Sequence, residues 1–229
     1  MLNLFLFFKY LPMPNLLFRN KPKTIFTDVR KITPEQAYAY LAEYLIQYNC
    51  FVPKDLENLD RYFEMRLFKK NDFFFRENDV VVEIGFIIHG AIKQYRTYNG
   101  HTHIVYLLSE SGISSSNISW FYRKPTDQNA LCVEDTFMLV INHDGIRKIV
   151  AEHPVFLKFF ADLTAEVCIF YEDRMTTFQM MDASKRYQNL LQKEPDMFNR
   201  FTLQDIANYI GIKPETLSRL RSTAVKKAS

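Results

Sequence analysis

The chain is poor in the residues that punctuate or staple a fold. Only 6 of its 229 residues are Gly and 9 are Pro, which excludes a collagen-like or low-complexity polymer. Its three cysteines, Cys50, Cys132 and Cys168, are far apart and odd in number. That argues against a disulfide scaffold or a CxxC zinc or redox site and fits a reducing cytoplasm. Long apolar runs are missing too. In the start MLNLFLFFKYLPMPNLLF the longest unbroken run is Leu4 to Phe8, with no basic residue ahead of it and no small-residue cleavage site after it. Neither a signal peptide nor a bilayer span of about 20 apolar residues is expected. Residues 1–32 read as an N-terminal extension of unknown role, with a membrane-surface anchor as the alternative. No GxGxxG, phosphate loop or Ser-His-Asp set occurs, so neither an enzyme nor a cofactor is expected.

What is present is a globular composition, 48% hydrophobic and 15% aromatic, with uneven charge. The formal net charge is +3, but residues 1–31 and 183–229 are each net basic while residues 32–182 are net acidic. An acidic core with basic ends favours an anionic partner at the ends. Thr33-Pro34-Glu35-Gln36 reads as a helix start, with an N-cap, proline at the first position and acid in the first turn. Between Phe68 and Ile141, short runs rich in Val, Ile, Phe and Tyr alternate with glycines, and no helix is expected among them. Ile92–Tyr98 and the run from His101 to Tyr106 flank Asn99-Gly100, the pair best suited to a type I′ turn. Close strand spacing of this kind predicts an antiparallel barrel or jelly roll within an α+β chain.

From Pro154 to Met181 the period is helical, with Phe156, Phe160, Leu163, Val167 and Phe170 at spacings of 4, 3, 4 and 3. Such a helix would run about 40 Å, longer than a small barrel, so a second copy of the chain is expected to cover its far half. The dimer interface is therefore assigned to Phe160, Leu163, Val167 and Phe170. Asp182 reads as a hinge and fresh N-cap. The expected organisation is an extension over 1–32, a β-roll over 33–150, a dimerisation helix over 151–182 and a C-terminal unit over 183–229.

Residues 203–222, LQDIANYIGIKPETLSRLRS, carry the function. Ala207 stands where two helices would cross closely, and Gly211 supplies the left-handed turn. Ile206, Ile210, Ile212, Leu217 and Leu220 form the seam, and Pro214 stands at the first turn of the second helix. Glu215, Ser218, Arg219 and Ser222 share the remaining face at i, i+3, i+4 and i+7. This is the spacing of a helix-turn-helix. Arg219 can donate two bonds to guanine and Glu215 can accept from cytosine, while Lys213, Thr216 and Arg221 suit phosphates.

With Ala183-Ser184-Lys185-Arg186-Tyr187 and the run from Gly211 to Arg219, residues 33–225 resemble the Crp/Fnr superfamily of bacterial transcription regulators. The resemblance implies a cyclic-nucleotide-binding-like β-roll, a long dimer helix and a winged helix-turn-helix. It implies double-stranded DNA and a second copy as partners, with RNA polymerase a candidate and any small-molecule effector unidentified. Glu215, Ser218 and Arg219 match the Glu-x-x-Ser-Arg face with which Fnr-type members read TTGAT-like half-sites, so base reading is assigned to these three. The sensor departs from the cyclic-AMP form. Where that form has glutamate and arginine, this chain has Asn117 and Asp127 or Gln128; with Ser116 these are the candidate effector residues. Asp127 is expected to repel a cyclic phosphate, so cyclic-nucleotide control is not expected. Three scattered cysteines cannot hold the four-cysteine iron–sulfur centre of other members. The competing reading is a cupin-like metal-dependent enzyme using His101 and His103, but the later cupin motif is missing.

Overall fold

The computed structural model describes Pro22, Phe26 and residues 28–228, with side chains as far as Thr223; the reading of residues 1–32 therefore falls almost wholly outside the described residues. The first helix, α1 (Pro34–Leu45), begins where the cap signal stood. Gln36 N–H donates to Thr33 Oγ1 at 3.3 Å, and the Gln36 side chain accepts from Thr33 N–H at 2.9 Å, so two otherwise orphaned donors are satisfied reciprocally.

Eight strands follow: β1 (Glu64–Phe68), β2 (Phe73–Phe75), β3 (Glu83–His89), β4 (Ile92–Tyr98), β5 (His101–Leu108), β6 (Ile113–Ser114), β7 (Asn129–Cys132) and β8 (Thr136–Asn142). They form two four-stranded antiparallel sheets in the orders β1-β8-β3-β6 and β2-β7-β4-β5. This is the expected jelly-roll-like architecture. The β4–β5 hairpin closes at Asn99 and Gly100, whose φ values of +50° and +75° are those a type I′ turn demands. One expectation is corrected. A short helix, α2 (Asn117–Tyr122), interrupts the strand region. Ser119 lies at its buried face and donates to the carbonyl of Lys124 at 2.6 Å, a local bond that ties the loop after the helix back to it.

The alternating faces of β3 and β8 explain the two layers of core. Ile87, Met138 and Val140 point between the sheets with Phe75, Ile92 and Cys132. The intervening Phe86, Ile88, Phe137, Leu139 and Ile141 point the other way. That outer face is covered by Tyr40, Leu41, Tyr44 and Leu45 of α1, by Ile149 of α3 (His143–Glu152), and by Phe156 and Phe159 of α4 (Val155–Met180). Strand β8 is thus buried on both faces, and its apolar run Phe137–Ile141 requires it. Burial of the Cys132 thiol among these groups pushes its pKa up to about 11, as expected of a core cysteine.

The four residues of α4 assigned to the interface also make contacts within their own chain. Phe160 and Leu163 pack against the α1 and β-roll core, Phe170 stacks on Tyr106 at 5.2 Å, and Val167 lines a small cavity with Tyr44 and Tyr106. All four face their own chain. The roll reaches further along the helix than its size suggested, and the C-terminal helices take over beyond it, where Arg174 lies over the Tyr209 ring at 4.2 Å. The stripe left uncovered is a different one: Leu157, 65% exposed, Ala161, Thr164, Cys168 and Met175, 61% exposed, with Tyr171 at the register between the last two. Its spacings of 4, 3, 4, 3 and 4 are those of a coiled-coil seam.

The chain ends in α5 (Ala183–Lys193), α6 (Met197–Arg200), α7 (Leu203–Tyr209) and α8 (Pro214–Ala228). Asp182 caps α5 by accepting from Lys185 N–H at 2.8 Å. Among the described residues this region has helices and turns but no strand, so the wing that the resemblance implied is not among them. No helix of the described residues is long and apolar enough to cross a membrane.

Candidate nucleic-acid interface

Helices α7 and α8 meet as the spacing required. Thr202 caps α7 through Asp205 N–H at 3.1 Å. Ile206, Ala207 and Leu217 are fully buried, Ile210 nearly so, and Ile212 and Leu220 pack half-buried beside them. A Leu or Ile in this position contributes about 1.5–3 kcal/mol by leaving water. Gly211 takes φ +67° at the turn, the conformation that favours glycine. A second reason for glycine was not legible in the sequence: a Cβ at 211 would lie 2.5 Å from Cε1 of Phe178 on α4. The helix-turn-helix is packed directly on the long helix.

With Leu217 turned inward, Glu215, Ser218, Arg219 and Ser222 all stand exposed on the opposite side of α8. Lys213 and Arg221 are exposed at the flanks, and Thr216 is half-buried beside Lys213. The structure brings the three base-reading and three phosphate candidates onto one module. An exposed fork of donors, an acceptor one turn before it and cations at the rim are the chemical requirements for reading base edges in a groove while holding phosphates.

The module is not hung loosely from the chain. Arg186 donates to the carbonyls of Ile210 at 2.8 Å and Met181 at 2.6 Å, tying the turn of the helix-turn-helix to the end of α4. Arg174 donates to the carbonyl of Tyr209 at 2.9 Å. Burial then pushes the Tyr209 phenol up despite that neighbouring cation. Arg200, Asp205 and Asn208 reach the β-roll. Apart from the bond to Met181, five residues away, these contacts join residues far apart in sequence and were not foreseen.

The four candidate effector residues differ in burial and partners. Ser116 is buried and donates to Thr126 Oγ1 at 2.9 Å, which also accepts from Gln128 N–H at 3.2 Å. Asn117 and Asp127 are exposed, and Asp127 pairs with Arg96 at 3.1 Å. That guanidinium offsets its charge, so the repulsion expected of a bare carboxylate is weakened; the stretch is instead knit to itself. His101 and His103 are exposed on β5, with His103 directly across from Arg96, a neighbour that opposes a cation. No cluster of metal-binding side chains occurs among the described residues.

The cyclic nucleotide-binding domain family matches residues 65–153. No curated protein matches the chain. Among solved structures, FixK2 from Bradyrhizobium japonicum is 18% identical, aligned over 72% of this chain and 86% of its own, with a TM-score of 0.60. The c-di-GMP responsive global regulator CLP from Xanthomonas campestris is 11% identical over 77% and 93%, with a TM-score of 0.60. A CooA mutant from Carboxydothermus hydrogenoformans is 17% identical over 74% and 78%, with a TM-score of 0.59. At such identities the likeness is one of fold.

Proposed function

We propose, for a chain with a cyclic nucleotide-binding domain at residues 65–153 and the fold of the Crp/Fnr regulators, that it is a transcription regulator binding a pseudo-palindromic DNA site as a homodimer. The observation that carries this reading is the exposed face of α8. Glu215, Ser218 and Arg219 project from a helix whose other side is anchored through Leu217. In a major groove Arg219 donates to guanine O6 and N7, Glu215 accepts from cytosine N4, and Ser218 bonds a neighbouring edge. Lys213, Thr216 and Arg221 hold phosphates and set register.

One such module per chain contacts one half-site, so two copies are needed to span two half-sites about 34 Å apart. The uncovered stripe Leu157, Ala161, Thr164, Cys168 and Met175 supports pairing along α4. Small residues at 161, 164 and 168 let two helices approach closely, with Leu157 and Met175 closing the seam at either end. Control by cyclic AMP or cyclic GMP forms no part of the reading, because Asn117 and Asp127 stand where the cyclic-AMP form has its glutamate and arginine. Selection from random duplex DNA tests the function. Recovery of an inverted repeat is expected, and enrichment of no repeated half-site refutes it.

A further inference from the structure

We infer that the β4–β5 hairpin of the roll is a docking rail that fixes the orientation of the helix-turn-helix, making Lys93, Arg200, Asp205 and Asn208 positioning residues for the distance between half-sites. The inference rests on the DNA-reading function proposed above. The helix that supports the recognition helix is itself the docking element. Strand β5 is the last strand of its sheet, so part of its backbone has no strand partner. The Asn208 side chain of α7 takes that place as a peptide would: its Oδ1 accepts from Ile104 N–H at 2.7 Å, and its Nδ2 donates to the carbonyl of Thr102. A carboxamide is the one neutral side chain that carries both an acceptor and a donor in this geometry.

Two charged contacts flank it. Lys93 Nζ lies 2.8 Å from Asp205 Oδ1, with side chains 21% and 7% exposed. Arg200 bridges Glu110, at 2.8 Å, and Glu134. Burial alone would push the Glu110 carboxyl up, but the hydrogen bonds and charge of Arg200 outweigh it and hold it below its ordinary value. Beneath them, Ala91, Ile104 and Leu107 of the roll share one apolar cluster with Ile206, Ala207, Ile210 and Leu217. Direct bonds on both sides of a shared core fix angle as well as distance.

None of these contacts touches the exposed face of α8, so they leave the affinity for a single half-site alone. In a dimer they decide whether both heads can engage together. Each added base pair moves a half-site by about 3.4 Å and turns it by roughly a tenth of a helical turn. A rigid pair of heads then loses the avidity of the second contact, whereas heads on a loose tether keep it.

The test uses the full chain and the selected operator, rebuilt with one or two base pairs more or fewer between half-sites, beside a single half-site. The wild type should lose on the order of 100-fold in affinity away from the selected spacing. Lys93→Glu, which sets like charges against each other across the rail, and Asn208→Ala should each shrink that loss to about fivefold or less while single-half-site affinity stays within about twofold. Lys93→Arg should keep the wild-type profile. Lys93→Glu lies on the roll, away from the reading head, so it stays informative where Asn208→Ala fails to fold. An unchanged spacing profile in Lys93→Glu overturns the inference, as does tighter binding at every spacing, which would mark the docked head as held away from DNA. Wild-type protein without sequence preference would instead sink the proposed function itself.

Discussion

The division of labour on α8 gives the sharpest prediction. Arg219 stands exposed one turn beyond Glu215, and Lys213 is exposed just before the helix begins. Arg219→Ala removes a two-bond contact to guanine from each half-site, a loss per half-site of about 1–3 kcal/mol, or roughly 5- to 150-fold at 1.4 kcal/mol per decade. The loss should be confined to one base step in each half-site. On random DNA the same variant loses no more than one cation does. Lys213→Ala has the opposite signature. It removes about one phosphate contact per protomer, two per bound dimer, which lowers the slope of log affinity against log salt by about 1.8. Between 50 and 200 mM salt each such contact accounts for about 3.5-fold in affinity, and that difference should vanish equally for selected and random sequences. Fluorescence anisotropy on both DNAs across that salt range separates the two. Because both side chains are exposed, neither change should shift the melting temperature. Equal losses on selected and random DNA for the two variants would refute the assignment of reader and positioner.

Three further outcomes are expected. Cys168→Asp places a charge on the uncovered stripe of α4 and should give monomers by analytical ultracentrifugation with an unchanged circular dichroism spectrum; a stable dimer would move the interface elsewhere. Calorimetric titration with cyclic AMP and cyclic GMP should show no binding, and micromolar affinity for either would overturn the reading of residues 112–130. The third concerns acid. Glu110 is held below its ordinary pKa of 4.5 in the folded chain, so its contribution is fully present above that value and is lost as pH falls through the lower, folded value. Arg200→Met should therefore flatten the decline in melting temperature below about pH 4.5 relative to wild type; parallel curves would show that the Arg200–Glu110 pair does not couple to folding.

Much of this chain was legible from short-range chemistry. Thr33 with Gln36, Asn99 with Gly100, Asp182, and the spacing from Ala207 to Leu220 each specify a cap, a turn or a helix crossing through sterics and hydrogen bonds within a few residues, and the fold honours all of them. The strand region was legible as a jelly roll because most of its apolar runs are too short and too closely spaced for helices, but the short helix α2 inside it was not. Long-range contacts alone decided the rest. The period of α4 revealed an apolar stripe at Phe160, Leu163, Val167 and Phe170 but not what covers it, because periodicity records that a face is buried and not against what. Only the packed structure turns that stripe onto the roll and leaves Leu157, Ala161, Thr164, Cys168 and Met175 outward. Gly211 likewise satisfied the turn in sequence, while its contact with Phe178 required α4 to arrive from more than thirty residues away. The bonds of Asn208 to the edge of β5 join residues about a hundred positions apart. No local pattern encodes such a pair, because its partners are backbone groups, and backbone groups carry no sequence signature.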